Sequence, residues 1–492
     1  MDRQRPLWVP ALGALVATVG LALVIAACSG GSTGDVEGNE GAGGSGSSAV
    51  SGSSAVSATG DLAASGGAAT VANSGANAFA QAAPGLDADQ RRAFVVGNNF
   101  FNDNWVTAPS STTARDGLGP MFNAQSCSSC HFKDGRGAPP TVEDPDELGL
   151  LMRLSVGSDD DGAPTPHPAY GNQLQDRAIN GVPAEGTLAI ERTEMTGEYA
   201  DGTTYTLEKP TYSVTDLSFG ELGSGILTSP RVAPPVFGVG LLEAVPESAI
   251  EELAASQEAS DDGISGKANR VWSPTLGDYA LGRFGWKANV ATVGDQTVGA
   301  FLGDIGITST EHPDQECTSV ETACLGAPTG GDPELGDSKS QRVTFYTRTL
   351  AVPERRDIGD PATERGSETF DEIGCVSCHV SELETGDADE EPLSNQTIRP
   401  YTDLLLHDMG PDLADGRGDY LADGNEWRTP PLWGIGLTEV VNGHTRFLHD
   451  GRARNLEEAI LWHGGEAEAS RDRFTELSTT DRNDLIAFLG SL

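Results

Sequence analysis

Basic residues are scarce in this 492-residue chain: 31 Lys and Arg stand against 73 Asp and Glu, a formal net charge of −42. Nucleic acid and anionic membrane surfaces both need a basic face, so the charge balance excludes them as direct partners. A basic redox partner or a salty medium suits the acid excess, and so does plain solubility. Cysteine is scarce too, at seven residues, and histidine stops at eight. So few thiols can each be accounted for, and so few imidazoles narrow the field of metal ligands. From Gly30 to about Ala83 large apolar residues are almost missing, and Gly, Ser and Ala dominate. Such a stretch cannot bury enough surface to fold and reads as a flexible tether. The length is enough for two or three domains and a substantial core.

The N-terminus reads as a targeting segment. Arg3 and Arg5 precede an apolar run from Leu7 to Ala27, which ends in Ile25-Ala26-Ala27-Cys28. This pattern is that of a bacterial lipoprotein signal peptide over 1–27, with Cys28 as the lipid attachment site. An uncleaved membrane helix is the alternative, because roughly 20 apolar residues can span a bilayer. Either way the body of the protein is expected on the periplasmic or cell-surface side of a bacterial membrane; the lipoprotein reading anchors it there through the lipid, with the tether over 28–85.

The other six cysteines fall into three pairs. "SCSSCH" holds Cys127, Cys130 and His131, and "GCVSCH" holds Cys375, Cys378 and His379. Cys317 and Cys324 lie close together in "ECTSVETACLG" and are expected to form a disulfide in an oxidising compartment. Cys-x-x-Cys-His is the attachment signature of c-type haem: two thiols add to the porphyrin vinyl groups, and the next residue supplies the proximal iron ligand. Zinc calls for two such pairs at finger spacing, and a thioredoxin-like motif does not call for the histidine. Two covalently bound haem c groups are therefore expected, with His131 and His379 on the irons.

The two haem regions look duplicated. Phe122 and Phe370 each stand five residues before the first cysteine of their motif. Downstream, "APPVFGVGLLEAV" (233–245) is echoed by "TPPLWGIGLTEVV" (429–441). The first half carries about 50 extra residues between motif and echo. Its stretch at about 148–221 is rich in Thr, Tyr and Val with Gly-containing turns, which predicts β-hairpins. The rest reads as helix, with capping patterns at Asp87-x-x-Gln90, Asn455-x-x-Glu458 and Ser478-x-x-Asp481. The expected fold is thus mainly α: two cytochrome c-like haem domains from an internal duplication, at 86–345 (with the β-rich insertion) and 346–492.

Candidates for a sixth ligand on the second haem are His407, Met409, His444, His449 and His463. A helix starting at Asn455 would set Leu456, Ala459, Ile460 and His463 on one face, which points His463 inward; Gly464-Gly465 then ends it. Met409 is the alternative, and would raise the potential relative to a second histidine. The matching stretch after Glu243 in the first half holds neither His nor Met. This predicts a reactive, weakly ligated first iron, with Glu243 as the nearest acid for proton transfer to peroxide. His167, in the inserted segment, is a further candidate ligand.

The two motifs, "RTPPLWGIGL" and "FLHDGRARNLEEAILWH" resemble the bacterial di-haem cytochrome c peroxidase superfamily. "GLGPMFNAQSCSSCH", "GRFGWKANV" and "HDMGPDLAD" are most similar to its di-haem c-type oxidoreductase branch. The resemblance implies an enzyme, a haem-dependent, peroxidase-like oxidoreductase. It implies electron entry at the C-terminal haem from a small redox protein or other donor, and peroxide or another small oxidisable substrate at the N-terminal one. It also places a ligand fourteen residues after His449, which is His463 here where methionine is common. It further suggests Ca2+ between the haems and Trp286 as an inter-haem relay. Arg283, Arg428 and Arg446 near the repeats are candidates to neutralise haem propionates.

Overall fold

Helices and strands are intermingled along the chain. This computed structural model describes residues 60, 62–260 and 262–492. The signal peptide over 1–27, Cys28 and the tether up to residue 59 lie outside the described residues. The end assigned to the tether by composition is part of the fold. Ala69, Ala78 and Phe79 are buried, and the Phe79 ring stacks on Phe237 with centroids 4.3 Å apart.

The helices used below are α1 (Ala88–Asn102), α2 (Val239–Ala244), α3 (Val293–Ile305), α4 (Asp337–Arg348), α5 (Pro361–Glu372), α6 (Leu456–Leu461) and α7 (Thr479–Ser491). The strands are β1 (Leu150–Ser155), β2 (Thr187–Glu198), β3 (Thr204–Thr215), β4 (Leu227–Val232), β5 (Asn269–Ser273), β6 (Asp278–Gly282), β7 (Leu406–Asp408) and β8 (Glu426–Arg428). Every sheet among the described residues is two-stranded. β1 pairs with β4, and β2 with β3, all antiparallel.

The expectation of a mainly α protein is overturned: helix accounts for 31% and strand for 19%. The physical reason lies in the punctuation of the chain. With 62 Gly and 28 Pro, few segments run long enough to sustain a helix, and turns feed short ladders instead. Nor are there two separate cytochrome c-like domains. One hydrophobic cluster takes Phe237 and Leu281 from the first half together with Leu404 and Trp433 from the second.

The duplicated segments nevertheless adopt matching local structures. Gly238 and Gly434 both take left-handed backbone, φ 72° and 71°. A Cβ on Gly238 would stand 2.6 Å from the Trp433 ring, and one on Gly434 would stand 2.6 Å from the Phe237 ring. Each copy thus occupies the space left open by the glycine of the other. The helices repeat the theme. α1 crosses α4 at Gly97, where a Cβ would run into the Arg342 carbonyl; α5 crosses α7 at Gly366, where it would run into the Asp484 carbonyl.

Strands β1, β2 and β3 fall inside 148–221, while β4 lies beyond it. The twelve-residue arms of β2 and β3 form a long hairpin that lies against the C-terminal half. The Tyr199 hydroxyl donates to Glu457 at 2.8 Å, the Tyr212 hydroxyl to Asp450 at 3.0 Å, and Arg482 reaches Asp201 at 2.8 Å.

Candidate haem-binding cavity

Both Cys-x-x-Cys-His motifs open onto one cavity of about 800 Å³, within the ~300–1,000 Å³ of small-molecule sites and lined mainly by apolar atoms. Cys127–Cys130 is a single helical turn after Ser126, and Cys375–Ser377 is a tighter turn entered through Gly374 in left-handed conformation. One turn of helix brings both thiols and the following imidazole to one side. All four motif cysteines are unpaired. Cys317 and Cys324 are joined in a disulfide elsewhere.

Nδ1 of His131 donates to the Pro234 carbonyl at 2.7 Å, and Nδ1 of His379 to the Tyr401 carbonyl at 2.9 Å. A carbonyl only accepts, so both rings carry hydrogen on Nδ1 and keep the Nε2 lone pair for a metal. Burial lowers both pKa values, that of His379 to about 4, which also favours the neutral, ligating form.

The remaining histidines sort by their partners. Those of His463 repeat the pattern: Nδ1 donates to the Ala459 carbonyl at 2.8 Å, and no partner among the described residues takes Nε2. The Asn455 side chain caps α6 as the spacing predicts, and His463 follows just past the helix end. His463 lines the cavity, and its charge acts on His379. Met409 lines the same cavity. His167 accepts at Nδ1 from the Ala169 amide (3.1 Å) and donates through Nε2 to the Leu222 carbonyl (3.1 Å), so it offers no free ligand atom. The His444 ring is bonded to the Arg136 carbonyl (3.1 Å) and the Arg446 amide (3.2 Å). His449 stacks on Trp427 with centroids 3.8 Å apart.

His407 is buried between two carboxylates, with Nε2 at 2.9 Å from Asp403 and Nδ1 at 2.7 Å from Glu466, and Cys378 Sγ lies 3.7 Å from Nδ1. Burial lowers its pKa, but the Asp403, Cys378 and Glu466 contacts outweigh it and raise the value to about 12. His407 is therefore a fixed imidazolium. Among the described residues the one cluster tight enough for a metal ion is Cys378, Asp403 and His407. That set lacks the all-oxygen shell of a calcium site.

The acid expected to move protons, Glu243, is held away from the cavity. Its Oε1 accepts from the Val293 amide at 2.7 Å at the start of α3, and Arg348 pairs with both carboxylate oxygens. A carboxylate so engaged caps a helix and anchors α4; it has no oxygen to spare for a substrate. The acid on the cavity wall whose charge acts on His131 is Asp304, at the C-terminal turn of α3. Its Oδ1 accepts from Gln173 Nε2 at 2.9 Å. His312 lines the cavity as well, and its ring has no hydrogen-bond partner among the described residues. Sequence reasoning missed Asp304, His312 and Arg136, because neither repeat nor motif marks them; only the fold brings them to the wall.

The residues fit two porphyrins. Four unpaired thiols and two imidazoles with free Nε2 atoms face one largely apolar space. α3 turns a bare face to it through Gly299, Ala300 and Gly303, and a Cβ on Gly299 would meet nothing within 4 Å. Trp286 is buried in the wall, with its indole N–H donating to the Val232 carbonyl at 2.7 Å.

Paired thiol–imidazole motifs around a shared apolar cavity define a protein built to hold two haems. The chain belongs to the family described as "Di-haem oxidoreductase, putative peroxidase", whose model matches residues 59–492. It is a di-haem oxidoreductase by descent. No curated protein matches it. Among solved structures, Kuenenia stuttgartiensis hydrazine synthase pressurised with 20 bar xenon is similar at 13% identity, with a TM-score of 0.33, over 85% of this chain and 91% of that one. A likeness that loose bears on neither activity nor substrate.

Proposed function

We propose that this chain is a lipid-anchored, outward-facing enzyme of the c type, with one haem bound covalently at Cys127 and Cys130 and the other at Cys375 and Cys378. Electrons enter the C-terminal half from an external donor such as a small redox protein, and peroxide is reduced at the N-terminal half. Bound haem iron supplies one-electron exchange and, where an axial position stays free, reaction with peroxide.

One contrast supports this reading: a second cavity-lining imidazole, His463, acts on His379 alongside Asp403 and His407, whereas the one charged group acting on His131 among the described residues is Asp304. His463, which lines the cavity and keeps Nε2 without a partner among the described residues, would supply a second protein ligand to the C-terminal haem, which suits electron transfer. On the other side a carboxylate faces the site. Peroxide needs two electrons and two protons to give two waters. Asp304 Oδ2, which accepts no hydrogen bond among the described residues, is the oxygen that can hold such a proton. The acid excess over the surface favours a basic donor.

A second reading has its own observation. The unpartnered ring of His312 on the cavity wall could close the first iron too, leaving a pure electron-transfer protein. Carbon monoxide decides between them. The enzyme is expected to bind it at one of two reduced haems, and the oxidised protein to show a high-spin band and consume peroxide. Two low-spin haems indifferent to both reagents, with one opened by His312→Ala, would establish the second reading instead.

A further inference from the structure

The cavity wall carries two buried arginines that the chain itself leaves without a counter-ion. Arg136 and Arg428 are each 6% exposed. No carboxylate among the described residues lies within ion-pair distance of either, in a chain where acids outnumber bases 73 to 31. Several other buried arginines here are paired, Arg231 and Arg417 with Asp419 and Arg452 with Asp450, and Arg283, which has no ion pair among the described residues, does not line the cavity. An isolated buried guanidinium is costly unless an anion offsets it.

Both side chains are held in place by carbonyls. Arg136 donates through Nε to the Arg446 carbonyl at 2.6 Å and through Nη2 to the Leu448 carbonyl. Arg428 donates through Nε to the Gly285 carbonyl at 2.9 Å and through Nη1 to the Thr429 carbonyl at 3.0 Å. Arg136 Nη1 and Arg428 Nη2 remain without a partner among the described residues, and both residues line the cavity. They flank Trp286. The Arg136 guanidinium lies 5.3 Å from the ring centroid, and the Arg428 amide donates to the Trp286 carbonyl at 2.8 Å. Burial lowers both pKa values to about 10 against the weaker pull of Asp450 and Asp403, so both stay charged at neutral pH.

Of the two other arginines singled out near the repeats, one is ion-paired and the other does not line the cavity. Arg446 pairs with Glu208 at 2.6 Å, and Arg283 caps α2 by donating to the carbonyls of Leu242, Glu243 and Val245. Only Arg136 and Arg428 combine burial, a free terminal nitrogen and a place on the wall beside Trp286.

We infer that Arg136 and Arg428 form a carboxylate-binding pair around Trp286, each taking one propionate of the porphyrins. This rests on the reading that both motifs carry haem. A guanidinium held at its inner edge and open at its outer one offers directed, charge-assisted hydrogen bonds to a carboxylate. The same charge favours the reduced, less positive iron, so each arginine acts as a positioning residue that raises one potential.

The test is a redox titration of the intact holoprotein and of Arg136→Gln, Arg428→Gln and the two Lys variants. A pyridine haemochrome assay counts the covalent haems in each. Two haems per chain throughout, a lowered potential of one haem in each Gln variant and recovery in each Lys variant are expected. Unchanged potentials in fully haem-loaded Gln variants overturn the pair while leaving the haem reading intact. Absence of covalent haem from the native protein overturns the haem reading itself. Should the Gln variants not fold, the native protein still decides. Its potentials are expected to stay flat across roughly pH 5 to 8, because a carboxylate clamped by guanidinium stays ionised there. Adding sodium succinate is expected to leave them unmoved. A pH-dependent potential, or a saturable shift with succinate, overturns the assignment in favour of an open site for free carboxylates.

Discussion

At the scale of the residue, the cavity is governed by which ring nitrogens are already taken. His463→Met is expected to raise the potential of one haem and leave the other in place, since a thioether favours reduced iron more than imidazole does; a redox titration checks this. His407→Gln removes the cation between Asp403 and Glu466. It leaves Asp403 buried without a counter-charge, and is expected to cost about 3–5 kcal/mol in denaturant unfolding. His449 carries a pH dependence. Burial lowers its pKa to about 3, so the folded protein keeps the ring neutral while the unfolded chain takes a proton near pH ~6.5. Its contribution is fully present above that pH and is lost as the pH falls toward 3. His449→Phe, which keeps an aromatic ring against Trp427, is expected to flatten the fall in melting temperature between about pH 6.5 and pH 4. The motif cysteines and their histidines stood out in the sequence by their spacing, and the fold brings both sets to one cavity. Asp304 and Arg136 were not, because their meaning comes from a wall assembled across hundreds of residues. Glu243 misled because it stands beside a repeat; its environment, an arginine and a helix start, is set by α3 and α4.

At the scale of the element, local signals were reliable where one side chain settles a backbone group. Asp87, Asn455 and Ser478 each accept from the amide three residues on, as their spacing predicts. The strand content was not legible, because many strands here are two or three residues long and carry no alternation to read. The hairpin β2–β3 was legible, being long and rich in Thr and Tyr. The crossings at Gly97 and Gly366 give a further prediction. Alanine is the better helix former by about 1 kcal/mol, yet its Cβ has nowhere to go against the facing carbonyl. Both Gly→Ala changes are therefore expected to lower stability by about 1–3 kcal/mol in thermal melts, reversing the sign that propensity alone assigns.

At the scale of the whole molecule, the halves depend on each other. The β2–β3 hairpin of the first half bonds to Glu457 and Asp450, on either side of the start of α6, the helix that positions His463. Tyr199→Phe removes the hydroxyl that fixes Glu457 and is expected to change the axial-ligand signature of the C-terminal haem in electron paramagnetic resonance. Residues 346–492 expressed alone are expected to give no cooperative unfolding transition, because Leu404 and Trp433 would lose Phe237 and the rest of their shared cluster. The reciprocal fit of Gly238 under Trp433 and Gly434 under Phe237 has a genealogical consequence. After a gene doubles, its copies ordinarily drift apart; here a bulkier residue in one can be accommodated only by trimming the other. The two segments have to diverge as a couple, and reconstructed ancestors should carry their changes at these four positions in matched steps.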